Sequence, residues 1–127
     1  MAGDDDIRVL FVEDDPTVAQ MYKLKLELDG YQVDLAPDGE AGLQKARAAA
    51  PDIIFLDIRL PKLDGLAVLE QLRNDNRTKH VPVVILSNYS ERELVEKGLK
   101  LGALEYLIKS QTTPAKLAGG VESWLKG

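Results

Sequence analysis

Val9-Leu10-Phe11-Val12-Glu13-Asp14-Asp15-Pro16 is the stretch from which the rest of the chain can be read. Four consecutive apolar residues, with no polar alternation, mark a strand covered on both faces, as in the parallel sheets of α/β proteins. Pro16 suits the first turn of a helix, and Asp15 suits its N-cap. The segment therefore reads as a buried strand, an acidic turn and a helix. Two more runs have the same apolar character, Ile53-Ile54-Phe55-Leu56 and Val83-Val84-Ile85-Leu86. Two others alternate: Tyr31, Val33 and Leu35 around Gln32 and Asp34, and, less regularly, residues 104–108. Alternation implies a more exposed face and a place near the sheet edge. Strands 1, 3 and 4 are thus central, strands 2 and 5 peripheral. The order 2-1-3-4-5 meets this condition with short right-handed crossovers.

Helical patterns fill the gaps. Val18, Met21, Leu24 and Leu28 recur at helical steps, and Gly30 suits the C-cap. Leu43, Ala46 and Ala50 carry a second helix, stopped by Pro51. Asp64-Gly65 opens a third, with Leu66, Leu69 and Leu72 on one side. Ser90 is the expected N-cap of the fourth, with Glu93 completing a capping box. Leu117, Val121 and Trp124 mark a fifth. Gly119-Gly120 inside it costs about 1 kcal/mol per glycine relative to alanine, so a weak or frayed helix is expected.

Composition narrows the functions. The 127 residues suit one domain. Lys plus Arg total 16 and Asp plus Glu total 21, a net charge of −5, which disfavours nonspecific binding to nucleic acid or anionic membrane. The absence of cysteine excludes disulfides, thiolate nucleophiles and zinc–sulfur or iron–sulfur sites. No apolar run approaches the roughly 18 residues of a membrane span. Residues 1–6 are acidic, do not form a signal peptide and are expected to be disordered. One domain over residues 7–127 and a cytoplasmic location are the resulting expectations. The single histidine, His80, falls in a polar loop and is expected on the surface.

In open parallel sheets, ligands bind beyond the carboxyl ends of the strands where the strand order reverses. Here the reversal lies between strands 1 and 3. Past strand 1 come Glu13, Asp14 and Asp15; past strand 3, Asp57; past strand 4, Ser87; past strand 5, Lys109. Asp15 on its own reads as the helix cap. Like charges about 4 Å apart repel by about 4 kcal/mol at an effective dielectric near 20. Such a cluster must be protonated, neutralised by Lys109 or bound to a cation. An oxygen-only donor set suits Mg²⁺. An acidic Mg²⁺ site beside an aspartate and a lysine points to phosphoryl chemistry. The aspartate attacks phosphorus while metal and lysine offset the oxygen charge.

With Val12-Glu13-Asp14-Asp15-Pro16, residues 56–65 (Leu-Asp-Ile-Arg-Leu-Pro-Lys-Leu-Asp-Gly), Leu86-Ser87 and residues 102–109 (Gly-Ala-Leu-Glu-Tyr-Leu-Ile-Lys) in this order and spacing, the chain resembles a response-regulator receiver domain of two-component signalling. The resemblance covers about residues 7 to 126. It implies a flavodoxin-like, doubly wound α/β fold with a five-stranded parallel sheet and five helices. It implies Asp57 as phosphoacceptor and Asp14 and Asp57 as direct Mg²⁺ ligands. Glu13 would act through water, and the Arg59 backbone carbonyl would supply a further ligand. Lys109 would pair with the phosphoryl group, and Ser87 and Tyr106 would form the switch. The implied partners are a histidine kinase or histidine phosphotransfer protein and a downstream protein on the face of the fourth helix, fifth strand and fifth helix. Direct binding of nucleic acid or membrane is not expected, and the chain is expected to be a monomer or a phosphorylation-dependent homodimer. It is not a turnover enzyme, since it would only accept and hydrolyse its own aspartyl phosphate. No output segment follows Gly127, so the chain reads as either a stand-alone regulator or an excised receiver.

The chain departs from the family's pattern in three ways. Ser110 follows Lys109 where a proline in a cis bond is usual. A cis bond before serine costs about 2.5–4 kcal/mol, which leaves this loop's geometry open. Asn88 replaces a small residue. Arg59 and Tyr89 flank the route for hydrolytic water, and their bulk is expected to slow loss of the phosphoryl group. Three other readings compete. A magnesium-dependent aspartyl-phosphate hydrolase would carry a second aspartate where Arg59 stands. A flavin carrier would need a Ser/Thr/Gly phosphate loop after strand 1. A non-phosphorylated pseudo-receiver acting as a protein-interaction module is the main alternative.

Overall fold

The computed structural model describes residues 7–126; the acidic segment 1–6, expected to be disordered, and Gly127 lie outside the described residues. Strands β1 (Arg8–Val12), β2 (Gln32–Ala36), β3 (Ile53–Leu56), β4 (Val83–Ser87) and β5 (Glu105–Ile108) alternate with helices. These are α1 (Pro16–Leu28), α2 (Gly39–Ala48), α3 (Gly65–Arg73), α4 (Arg92–Lys100) and α5 (Pro114–Lys126). The strands form one parallel sheet in the order β2-β1-β3-β4-β5, as expected.

Each apolar run buries both of its faces. Leu10, Val12, Ile54, Leu56 and Ile85 point to the side that Leu69 and Leu72 of α3 cover. Val9, Phe11, Phe55 and Val84 point to the side covered by Tyr22 and Leu26 of α1 and Leu117 and Val121 of α5. Each such side chain contributes about 1.5–3 kcal/mol on burial, so the three central strands anchor the domain. β2 and β5 stay partly exposed, in line with their alternating patterns and edge positions.

The helix starts are mostly the expected ones. Asp15 caps α1, accepting from the Thr17 and Val18 amides. Asp64 caps α3, accepting from the Ala67 amide. Gly30, at φ 99°, follows the last turn of α1 in the left-handed conformation that favours glycine.

Five expectations need correction or completion. The core face of α1 is Ala19, Tyr22 and Leu26, whereas Met21, Leu24 and Leu28 are 48%, 62% and 74% exposed. Both stripes have helical spacing, and packing decides between them. The Tyr22 ring stacks on Phe11 at a centroid distance of 5.1 Å. Its hydroxyl, meanwhile, donates to the Thr112 carbonyl at 2.7 Å. Ala50 lies beyond α2 and is exposed, because the helix ends at Ala48, ahead of Pro51. Ser90 does not cap α4. The N-cap position is Glu91, without a side-chain bond, so Glu93 sits one residue too early to close a capping box. α5 runs unbroken through Gly119-Gly120. A Cβ on Gly120 would lie 2.7 Å from the Trp124 ring. That ring is held by a 2.7 Å bond from its Nε1 to Glu105 and by edge contact with Phe55. This packing offsets the glycine cost. Finally, no cis peptide bond occurs among the described residues; the Lys109–Ser110 bond is trans, and Lys109–Gln111 forms a single 3₁₀ turn.

Away from the acidic rim, Asp75 ties α2 to the connection between α3 and β4. Its carboxylate accepts from Arg47 Nε at 3.0 Å and from the Arg77 amide, Nε and second terminal nitrogen. The Arg77 side-chain bonds, above all, hold this carboxyl well below its ordinary value of 3.8. The stabilisation is therefore complete above that value and lost as pH falls through the depressed one. Asp75→Asn should lower the urea midpoint at neutral pH. The gap from the wild type should shrink as pH drops below about 4; a gap that did not change with pH would show that charge pairing is not its origin.

Candidate functional site

The site is built where four strands end. Past β1, the Glu13 amide continues the ladder by donating to the Ala36 carbonyl at 3.0 Å. Past β3, the Asp57 amide donates to the Val12 carbonyl at 3.1 Å. These bonds fix the two acidic residues side by side in register. Gly65 lets α3 approach this turn. A Cβ there would lie 2.0 Å from the Asp57 carbonyl oxygen, and the Gly65 amide donates to Ile58 at 2.7 Å.

Lys109 bridges the two buried carboxylates. Its Nζ lies 2.7 Å from Asp57 Oδ2 and 2.5 Å from Glu13 Oε1. Glu13 Oε2 accepts from the Asp15 amide at 3.1 Å. Glu13 Oε1, fully buried, faces the ammonium without a hydrogen bond of good geometry. Burial pushes the Glu13 carboxyl above its ordinary value, and the negative charge of Asp57 adds to that, against the opposing pull of Lys109. Burial works against the Lys109 charge too, but its hydrogen bond to Asp57 and its pairing with the Glu13 carboxylate outweigh it and raise the ammonium. Asp14 is exposed at the mouth. Carboxylate oxygens of Glu13, Asp14 and Asp57 lie within 4.8 Å of one another. An all-oxygen set with an incompletely satisfied buried carboxylate fits a hard divalent cation.

Ser87, the last residue of β4, is completely buried, and its Oγ accepts from the Tyr89 amide at 3.1 Å. The half-buried Tyr106 of β5 turns its hydroxyl to the Tyr89 carbonyl, to which it donates. Burial raises the Tyr106 phenol above its ordinary value. Gly98 of α4 lies against Ile85 and the Tyr106 ring; a Cβ there would sit 2.6 Å from Ile85 and in ordinary contact, 3.5 Å, with the ring. The exposed Arg59 lays its guanidinium 4.5 Å from the centre of the Tyr89 ring, within cation–π range. Beside the rim, a cleft of about 590 Å³ is bounded by Asp14, Arg59, Asp64 and Leu94. Asn88 is exposed.

The expected side chains therefore meet at one rim: Glu13, Asp14, Asp57 and Lys109 as a cluster, with Ser87 and Tyr106 joined through Tyr89. Asp15 stands apart as the helix cap. Sequence reasoning missed Tyr22 and Thr112, which hold the Lys109 loop. Their one sequence signal is Ser110, which leaves that loop to be fixed by something other than proline.

Known proteins are similar to this chain. The family described as response regulator receiver domain matches residues 9–119. The Synechocystis DNA-binding dual master transcriptional regulator RpaA is 39% identical over 80% of this chain and 42% of its own length. The Streptomyces coelicolor transcriptional regulatory protein CseB is 42% identical over 83% of this chain and 44% of its own length. The chain thus spans about two-fifths of these curated relatives. Among solved structures, the receiver domain of the Francisella response regulator 1452 is 34% identical, with a TM-score of 0.87, covering 95% of this chain and 98% of that one. Vibrio cholerae chemotaxis protein CheY4 is 29% identical, with a TM-score of 0.85, covering 93% and 98%. This chain belongs to the response-regulator receiver domain family of two-component signalling.

Proposed function

We propose that this receiver domain is a phosphoacceptor switch in which Asp57 takes a phosphoryl group from the phosphohistidine of a histidine kinase or histidine phosphotransfer protein. The observation that carries the reading is Lys109, whose ammonium bridges buried Asp57 and Glu13. An Asp57 carboxylate oxygen bonds to phosphorus as the phosphorus–nitrogen bond to the donor imidazole breaks, and the electron pair stays on that nitrogen. Glu13, Asp14, Asp57 and the Arg59 carbonyl would hold Mg²⁺, which when bound supplies positive charge to the transferred oxygens. Lys109 already lies against Asp57 Oδ2 and pairs with the new phosphoryl oxygens. Ser87 gives up the Tyr89 amide and turns its hydroxyl toward the same group. Tyr106 follows inward, and the α4–β5–α5 face presents the result to a protein partner. A net charge of −5 supports protein rather than nucleic acid as the direct partner of this domain. Activation by homodimerisation through the same face fits this scheme. No helix among the described residues is long and apolar enough to cross a membrane, and we assign the domain to the cytoplasm.

Intact mass spectrometry after incubation with acetyl phosphate tests the assignment. One phosphoryl adduct should form, should need Mg²⁺, and should vanish in Asp57→Asn, which keeps the shape and loses the nucleophile. Labelling that survives this substitution would move the acceptor elsewhere. If neither acetyl phosphate nor a kinase phosphorylates the folded, Mg²⁺-binding protein, the pseudo-receiver reading takes its place.

Hydrolysis of the aspartyl phosphate is the domain's own slow reaction. Arg59 stacks on the Tyr89 ring, and in this reading the stack narrows the approach of water to Asp57. Arg59→Ala and Tyr89→Ala should each speed loss of the phosphoryl group several-fold, with uptake retained. Unchanged rates in both variants would remove the stack from this role.

A further inference from the structure

The Lys109 loop has no proline after the lysine, and its Lys109–Ser110 bond is trans. Something else must hold an ammonium that works within hydrogen-bond reach of Asp57. The loop converges on Thr112. The Thr112 amide donates to the Lys109 carbonyl at 3.2 Å. Its Oγ1 donates to the Ile108 carbonyl at 2.8 Å. Its own carbonyl accepts from the Tyr22 hydroxyl at 2.7 Å, a bond between residues 90 apart in the chain. Tyr22 cannot easily swing away. It is 3% exposed, its ring is stacked on Phe11, and Phe11 packs on Phe55 of the next strand. Two carbonyls flanking the lysine are thus tied to one threonine, and that threonine is tied to the core through one phenol.

We infer that Tyr22 is a positioning residue for phosphoryl transfer, setting the place of Lys109 through Thr112 in a loop that lacks the usual proline. The inference rests on the phosphoacceptor reading above. Misplacing a catalytic group by about 1 Å can cost as much as 100-fold in rate. Losing a single hydrogen bond that restrains the loop is a milder change, about five-fold by its usual net worth.

The test compares phosphorylation rates with acetyl phosphate for the wild type, Tyr22→Phe, Lys109→Ala and the double variant, in the full chain with saturating Mg²⁺. Tyr22→Phe keeps the stacked ring and loses only the hydroxyl. It should slow uptake about five-fold and leave the midpoint of the Mg²⁺ dependence in place. With Lys109→Ala as background, the same substitution should change the rate by less than about two-fold, because its route of action is gone. Thr112→Val, which removes the bond to Ile108, should reproduce the slow uptake. Wild-type rates in Tyr22→Phe, an equal loss in both backgrounds, or a Mg²⁺ midpoint that moves with the rate would overturn the assignment to Lys109. Failure of the wild type itself to take up phosphoryl would overturn the phosphoacceptor reading, and this inference with it.

Discussion

The ion pair between Lys109 and the buried carboxylates of Asp57 and Glu13 is the constraint on which the rest of the molecule depends. A parallel sheet delivers residues from neighbouring strand ends to one rim. Here it delivers two acids into a nearly dry place and a third at the mouth. Burial disfavours each charge, and it pushes the Glu13 carboxyl above its ordinary value. A single ammonium cannot compensate three carboxylates. The rim is therefore poised to gain from any added positive charge and to respond when the anion at Asp57 grows. In the proposed mechanism, a phosphoryl group would change the partner that Lys109 faces, and the neighbours that lean on Lys109 or on Ser87 would feel the difference.

Several distant residues serve this arrangement. Gly65 allows the α3 turn to pack on the Asp57 backbone. Gly98 lets α4 pack closely on Ile85, next to the Tyr106 ring. Tyr22, Phe11, Phe55 and Trp124 form a run of ring contacts from α1, across the sheet, to α5. One end of that run carries the hydroxyl on the Lys109 loop, and the other is bonded to Glu105, next to Tyr106, the proposed switch residue. The core on the α1–α5 side of the sheet is thus bonded both to the Lys109 loop and to β5.

Much of this was legible in the residues alone. Three apolar runs named the central strands, because only strands buried on both faces can be apolar throughout. The strand order followed, and with it the rim, since polar residues directly past such strands have one place to go. Other features were not legible, for local reasons. α1 has two apolar stripes, and hydrophobicity favours Met21, Leu24 and Leu28 over the stripe that packs. A tyrosine joins the core only because its hydroxyl has a partner 90 residues away. The continuity of α5 depends on an indole lying against Gly120, a contact that helix propensity cannot register. The brace on the Lys109 loop was hidden for the same reason as the Tyr22 stripe, being a contact between distant residues.

The most direct test of the central ion pair is an amide NMR spectrum recorded before and after phosphorylation, in the wild type and in Lys109→Ala. In the wild type, shifts should spread from Asp57 through Ser87 and Tyr89 to Tyr106 and α4. In Lys109→Ala, the adduct should still form, but the shifts should stay close to Asp57. The same spread of shifts in both proteins would contradict the account, because the switch would then be reading the phosphoryl group without the lysine.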